Sequence, residues 1–244
     1  MPEDLSVKGT RVLPYVIVTF IVAAASALQA GTGMGMALLA APLLLLVNPS
    51  LVPGPMLCAT MVLSIAVVWR ERSAIDRKVL GLSLFGLAAG CAMGAFALAV
   101  LTGVNLAEVF GALILCFVLL SVLGLRIRAS TPALLIGGAA SGVLGTMFGV
   151  HGPPIAIVLQ HEPLERLRAT LCAFFAVGCG ISLVALAMIG AFGLTQLGLG
   201  VALLPGVAIG FAFAPILGRM LNRRRARIAV LAISTISALA LLLR

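Results

Sequence analysis

Charge is what this chain has least of. Only 9% of its residues are charged and only 7 are acidic, against 62% apolar. Soluble domains carry roughly 25% charged residues, so the chain is built for lipid. No stretch alternates polar and apolar residues over the ~10 positions of a barrel strand, which excludes a β-barrel. Helices are the other structure that satisfies its own backbone in lipid. Histidine is nearly absent, at two residues, and there is no CxxC. Cysteines 58, 91, 116, 172 and 179 all fall in apolar segments and read as buried, inert thiols. Neither a disulfide framework nor a zinc site is expected. H-E-x-x-H, G-x-S-x-G and paired carboxylates are missing as well, so no enzyme class is indicated.

What the chain does have is a set of apolar runs punctuated by glycine and proline. A membrane-spanning helix needs about 20 apolar residues. Ten segments follow: 12–30, 34–47, 54–69, 79–101, 104–125, 132–148, 153–160, 168–190, 194–217 and 227–243. The first resembles a signal peptide, with Lys8 and Arg11 ahead of it. The second half repeats its helix-then-glycine pattern internally, so it is read as part of the fold. Segments 34–47 and 153–160 are too short to span, and each follows a glycine-rich break. The breaks are Gln29-Ala-Gly-Thr-Gly-Met-Gly35 and Gly145-Thr-Met-Phe-Gly-Val-His-Gly-Pro-Pro154. Glycine and proline should stop the incoming helix there, and Pro153 or Pro154 suits the first turn of the next.

The net charge of +9 raises nucleic acid as a partner, but its location answers otherwise. The basic residues lie between apolar runs, as topology signals do. If each broken pair returns to its starting side, loops 70–78, 126–130, 161–168 and 218–227 share one face. They carry 13 of the 16 Lys and Arg, leaving Lys8, Arg11 and Arg244 opposite. The positive-inside rule makes that face cytoplasmic, with both termini extracytoplasmic. Half 1–128 then enters from outside and half 129–244 from inside. Gly86-x3-Gly90-x3-Gly94 and Gly206-x3-Gly210-x3-Ala214 echo each other 120 residues apart, and such spacing lets helices approach closely.

The expected fold is an all-α polytopic membrane protein of two inverted-topology repeats, 1–128 and 129–244. Each is a broken or re-entrant helix pair followed by three transmembrane helices, together one transport domain. Inverted repeats with a broken helix apiece are the pattern of secondary transporters, whose site lies where the breaks meet.

At those breaks the chain resembles the sulfite exporter TauE/SafE permeases, also called the toluene-sulfonate uptake permease family. Gln29-Ala-Gly-Thr-Gly-Met-Gly-Met-Ala-Leu-Leu-Ala-Ala-Pro42 is similar to the first-half motif. Gly145-Thr-Met-Phe-Gly-Val-His-Gly-Pro-Pro154 with Arg168-Ala-Thr-Leu-Cys-Ala-Phe-Phe175 is similar to the second. Many members carry three consecutive glycines where this chain has Gly-Thr-Gly-Met-Gly and Gly-Val-His-Gly, so Met34, Met36 and His151 depart from the pattern. The resemblance implies an inner-membrane carrier of sulfite, organosulfonates or related small anions.

An anion inside a membrane must recover its lost hydration. Helix N-termini, each worth about +0.5 charge, are the expected donors, at 34–35 and 152–154. The expected binding residues are Gln29, Gly31, Thr32, Gly33, Met34, Gly35, Thr146, Gly149, His151, Gly152 and Pro153. His151 either senses protons or only ties down the break. Arg168 is either a topology anchor or a gate. Glu108, the one acid inside an expected span, is either functional or faces water at a helix end. No cofactor or metal is expected beyond a coupling proton or sodium ion. The partners expected are the anion and the bilayer, with no oligomeric state assigned. A channel and an intramembrane enzyme are the competing readings.

Overall fold

The computed structural model describes residues 3–33, 36–100 and 127–220, with helical residues at 108–109, 111–113, 115–116, 119, 232–233, 235–237 and 239. Side chains are described from residue 14 to 216 within those stretches, and beyond them at some of the helical residues near the C-terminus. Expected segments 104–125 and 227–243 therefore lie largely outside the described residues. So do Met34, Gly35 and the side chains of Lys8, Arg11 and Arg244.

The described chain is helical. In order it forms α1 (Glu3–Thr32), α2 (Met36–Val47), α3 (Gly54–Glu71), α4 (Arg77–Val100), α5 (Thr131–Phe148), α6 (Gly152–Leu159), α7 (Leu164–Met188) and α8 (Leu194–Met220). Six of these contain stretches long and apolar enough to cross a membrane. The other two are not. The 12 residues of α2 rise about 18 Å and the 8 of α6 about 12 Å, against a hydrocarbon core of about 30 Å. Phe20, Trp69, Phe85, Met188 and Leu194 stand exposed on the outer faces, as lipid-facing residues do.

Local chemistry sets the helix ends. α1 stops where Gly33 turns to φ +86°, its N–H donating to the carbonyl of Gln29 at 2.7 Å. α5 stops where Gly149 turns to φ +74°, with its N–H on Gly145 O and that of Val150 on Leu144 O. That is the left-handed glycine cap of the αL motif, with its 5→1 bond from the glycine N–H. α5 begins behind Ser130, whose hydroxyl accepts from the Ala133 N–H at 3.4 Å. α4 begins behind Asp76, whose Oδ1 accepts from the N–H groups of Lys78 (3.0 Å) and Val79 (3.1 Å).

The Asp76 carboxylate also receives Arg166, and its own N–H donates to Thr170 Oγ1 at 3.0 Å. The Val79 N–H first, then the charge of Arg166 and the Lys78 N–H, hold its pKa below the ordinary carboxylate value. A depressed carboxylate stabilises the fold above its unfolded pKa, and that contribution is lost as pH falls through the folded value. Asp76→Ala is expected to cost about 1 kcal/mol at neutral pH. The deficit should narrow below about pH 4, as read by thermal unfolding in detergent; a deficit independent of pH would refute the cap.

Two helix pairs form the scaffold, α4 on α5 and α1 on α8. A Cβ on Gly86, Gly90 or Gly94 would lie 2.1, 2.0 or 2.9 Å from the carbonyl oxygens of Leu135, Ala139 and Val143. A Cβ on Gly206 or Gly210 would lie 2.9 or 2.2 Å from those of Thr19 and Ala23. The contacts advance together along both chains, so each pair runs parallel. α3 packs on α7 to complete the core around Met36, Leu44, Met56 and Leu63 on one side and Leu87, Ile155, Leu167 and Phe174 on the other.

Several boundaries differ from the sequence expectation. α3 runs two residues past 69 and α7 starts four before 168. Hydropathy windows stop at charges, whereas the helices continue through them. Glu71, Arg70 and Arg168 thus lie inside helices. Glu108 is accordingly not the only acid within a span.

Candidate functional site

The two breaks meet. A small cavity is lined by Gln29 from the end of α1, Ala37 and Leu38 from the first turn of α2, and Thr60 from α3. Gly149, His151, Gly152 and Pro153 close it from the second break and Phe175 from α7. Its inner space of about 20 Å³ holds about one water. Residues of the opening turns of both α2 and α6 therefore line one cavity.

Around it the polar side chains are already engaged. His151, only 2% exposed, shares a hydrogen bond through Nε2 with Ser182 Oγ at 3.1 Å. Ser182 also meets Thr146 Oγ1 at 2.8 Å and Cys91 Sγ at 3.3 Å. The Cys179 thiol stands 4.0 Å from Nδ1. The imidazole lies flat on Gly145, where a Cβ would come within 2.2 Å of the ring. In the first half Gln29 Nε2 donates to Ser64 Oγ at 3.1 Å. Each break thus has a polar side chain tied to a buried serine, Ser64 on α3 or Ser182 on α7. Thr60 Oγ1 donates to Met56 O at 2.9 Å and reaches Met36 Sδ at 3.5 Å. No fully buried side-chain nitrogen or oxygen lacks a partner among the described residues.

The second helix start offers fewer donors than expected. Pro153 and Pro154 have no N–H, and that of Ile155 is given to Ser141 Oγ at 3.3 Å. Gly152 carries the remaining amide of that turn, whereas the opening turn of α2, Met36-Ala37-Leu38, contains no proline.

Six expected residues do not line the cavity: Gly31, Thr32, Gly33, Glu108, Thr146 and Arg168. Thr32 Oγ1 donates back to Leu28 O at 2.9 Å. The Gly31 carbonyl accepts from Arg168 Nη1 at 3.1 Å. A Cβ on Gly33 would lie 2.7 Å from Arg168 Cα, so this glycine permits the close approach of α7. Glu108 is exposed on its helix. Thr146 reaches the site through Ser182 rather than by lining it. Thr60, Ser64, Phe175 and Ser182 were not anticipated. A serine followed by three apolar residues, at Ser64-Ile-Ala-Val and Ser182-Leu-Val-Ala, was the one signal available.

Arg168 belongs to a second cluster beside the first break. Its Nε donates to Glu71 Oε2 at 2.6 Å, and Arg70 Nη2 reaches Glu71 Oε1 at 3.0 Å and the Ala30 carbonyl at 3.4 Å. Two arginines therefore cap the final carbonyls of α1, the negative end of that helix. Among the described residues no group of three or more His, Cys, Asp or Glu is arranged to hold a metal ion.

The model of the sulfite exporter TauE/SafE family matches residues 18–241. The chain belongs to the TauE/SafE family. Neither the curated proteins nor the solved structures compared with the chain include a match. TauE/SafE proteins are membrane transporters, and with six apolar helices among the described residues this member is a multi-pass membrane protein. The match takes in both breaks, the glycine contacts of α4 and α8, and the cluster at Arg168.

Proposed function

We propose that this TauE/SafE protein is a secondary transporter of a small anion, sulfite or an organosulfonate, bound between its two breaks and moved by alternating access. The observation that carries the reading is the cavity shared by Gln29, Ala37 and Leu38 with Gly149, His151 and Gly152. Two helix N-termini at one point offset about one negative charge, which suits a monoanion. The amides of α2 supply most of the hydrogen bonds, and Gln29, Thr60 and His151 orient the ligand. Thr32, Gly31 and Gly33 shape the first break without touching the ligand, and Met34 and Gly35, which lie outside the described residues, stay in the proposed binding set. A dianion requires further positive charge, from a proton on His151, from Arg168 or from a co-transported cation.

The division into inverted repeats, 1–128 and 129–244, belongs to the same reading. Its support is the reciprocal packing, in which the first helix of each half lies parallel to the glycine helix of the other. Gly33 and Gly149 end the two broken helices alike. Loops 72–76 and 160–163 lie together at one end of the bundle, joined through Asp76–Arg166 and Glu71–Arg168. By the positive-inside rule that end faces the cytoplasm of a cell whose inner membrane holds the protein.

Proteoliposomes carrying the purified protein should take up radiolabelled sulfite or methanesulfonate saturably and show counterflow. Conductive flux without counterflow would make the protein a channel. Uptake no faster than in empty liposomes, for both anions, would reject the anion site.

A further inference from the structure

We propose that Glu71 is a resident counter-ion for Arg168 which the transported anion displaces, so that the pair closes the basic end of the site whenever the site is empty. The inference rests on the anion-transport reading and assigns a role to a residue outside the expected site. Glu71 is 8% exposed although it ends a helix at the charged end of the bundle. A carboxylate so enclosed is stable only when paired and hydrogen-bonded. Both of its oxygens are used, Oε2 by Arg168 Nε and Oε1 by Arg70.

The pair joins two helices that pack on each other. Glu71 is carried by α3 and Arg168 by α7, while Arg168 Nη1 also holds the Gly31 carbonyl at the end of α1. The backbone of Arg168 lies against Gly33, so this guanidinium stands beside the break from which Gln29 reaches the cavity. Arg168 spends Nε and Nη1 on these partners, and Nη2 has no hydrogen bond among the described residues. A guanidinium fork of five N–H groups binds sulfonate or sulfite oxygens as it binds carboxylate. An incoming anion and the Glu71 carboxylate are thus alternatives for one cation. When the anion takes it, the link between α3 and α7 opens. When the anion leaves, Glu71 returns and the two helices close. Cys172, fully buried and one turn beyond Arg168 on α7, lies behind this link.

Two measurements on the full-length protein test the exchange. In proteoliposomes, Glu71→Gln should lower the KM for radiolabelled sulfite by about threefold or more, because the isosteric amide no longer competes for the guanidinium. Arg168→Gln should reduce uptake about tenfold or more, and Arg168→Lys should raise KM while retaining turnover, since an ammonium keeps the charge but not the fork. A variant that retains only Cys172 should react with N-ethylmaleimide about fivefold faster when it also carries Glu71→Gln. Changes in maximal rate alone, in proportion to folded protein, would overturn the proposal. So would equal labelling of Cys172 with and without Glu71. Wild-type protein that moves no sulfite would reject sulfite as the substrate, and the labelling result would still decide whether the pair closes the path.

Discussion

Gly90→Ala should destabilise the protein by about 3 kcal/mol, the upper part of the usual range for overpacking, while Gly81→Ala on the same helix should not. The added methyl at Gly90 would sit 2.0 Å from the Ala139 carbonyl oxygen and 2.8 Å from its carbon. That obstacle is backbone. It cannot rotate away as a side chain can, so α4 and α5 must separate along their contact. Gly81 has nothing within 4 Å, and alanine there should be neutral or should stabilise by up to about 1 kcal/mol through helix propensity. Gly210→Ala, 2.2 Å from the Ala23 carbonyl, should behave like Gly90→Ala at the other pair. Unfolding of each variant in detergent measures the contrast. Equal stabilities at positions 81 and 90 would show that the close approach does not hold the scaffold together.

Gly145→Ala should lower transport about a hundredfold, the scale of an ångström-sized misplacement in a site, with a smaller loss of stability than Gly90→Ala. Here the obstacle is a side chain. A Cβ would meet the His151 ring at Cδ2 and Nε2, both at 2.2 Å, and the imidazole would have to leave Ser182. That movement disturbs the wall of the cavity on the side where Gly149 and Gly152 stand. The double variant Gly145→Ala, His151→Ala removes the clash and should regain stability without regaining transport, a non-additive result expected of residues in contact. Wild-type transport by Gly145→Ala would mean that the seat of His151 does not matter to the site.

How much of this was legible depended on how local the cause was. The second break was read almost to the residue because its causes are adjacent in the chain: Gly149 takes a positive φ, and Pro153-Pro154 suit a first helical turn. The glycine spacing of α4 and α8 was legible for the same reason, as a one-helix periodicity. Arg168 was recognised as a residue of interest, yet its partner Glu71 was missed. A carboxylate between Arg70 and Arg72 looks like part of a solvated loop, and only the arrival of α7 encloses it. Ser182 and Phe175 were missed because the sequence does not say which side of an apolar helix a serine or a phenylalanine faces until a neighbour defines it.

The sequence by itself determined that the chain is helical and lipid-embedded, where its helices break, and which family it resembles. Those follow from apolar length, scarcity of charge, and the backbone limits of glycine and proline, all of which act within a few residues. Only the tertiary structure decided that the two breaks share one cavity, that His151 is held by Ser182 over Gly145, and that Glu71 and Arg168 join α3 to α7. Such contacts join residues tens of positions apart. They are set by which helices pack together, and that is a property of the assembled bundle.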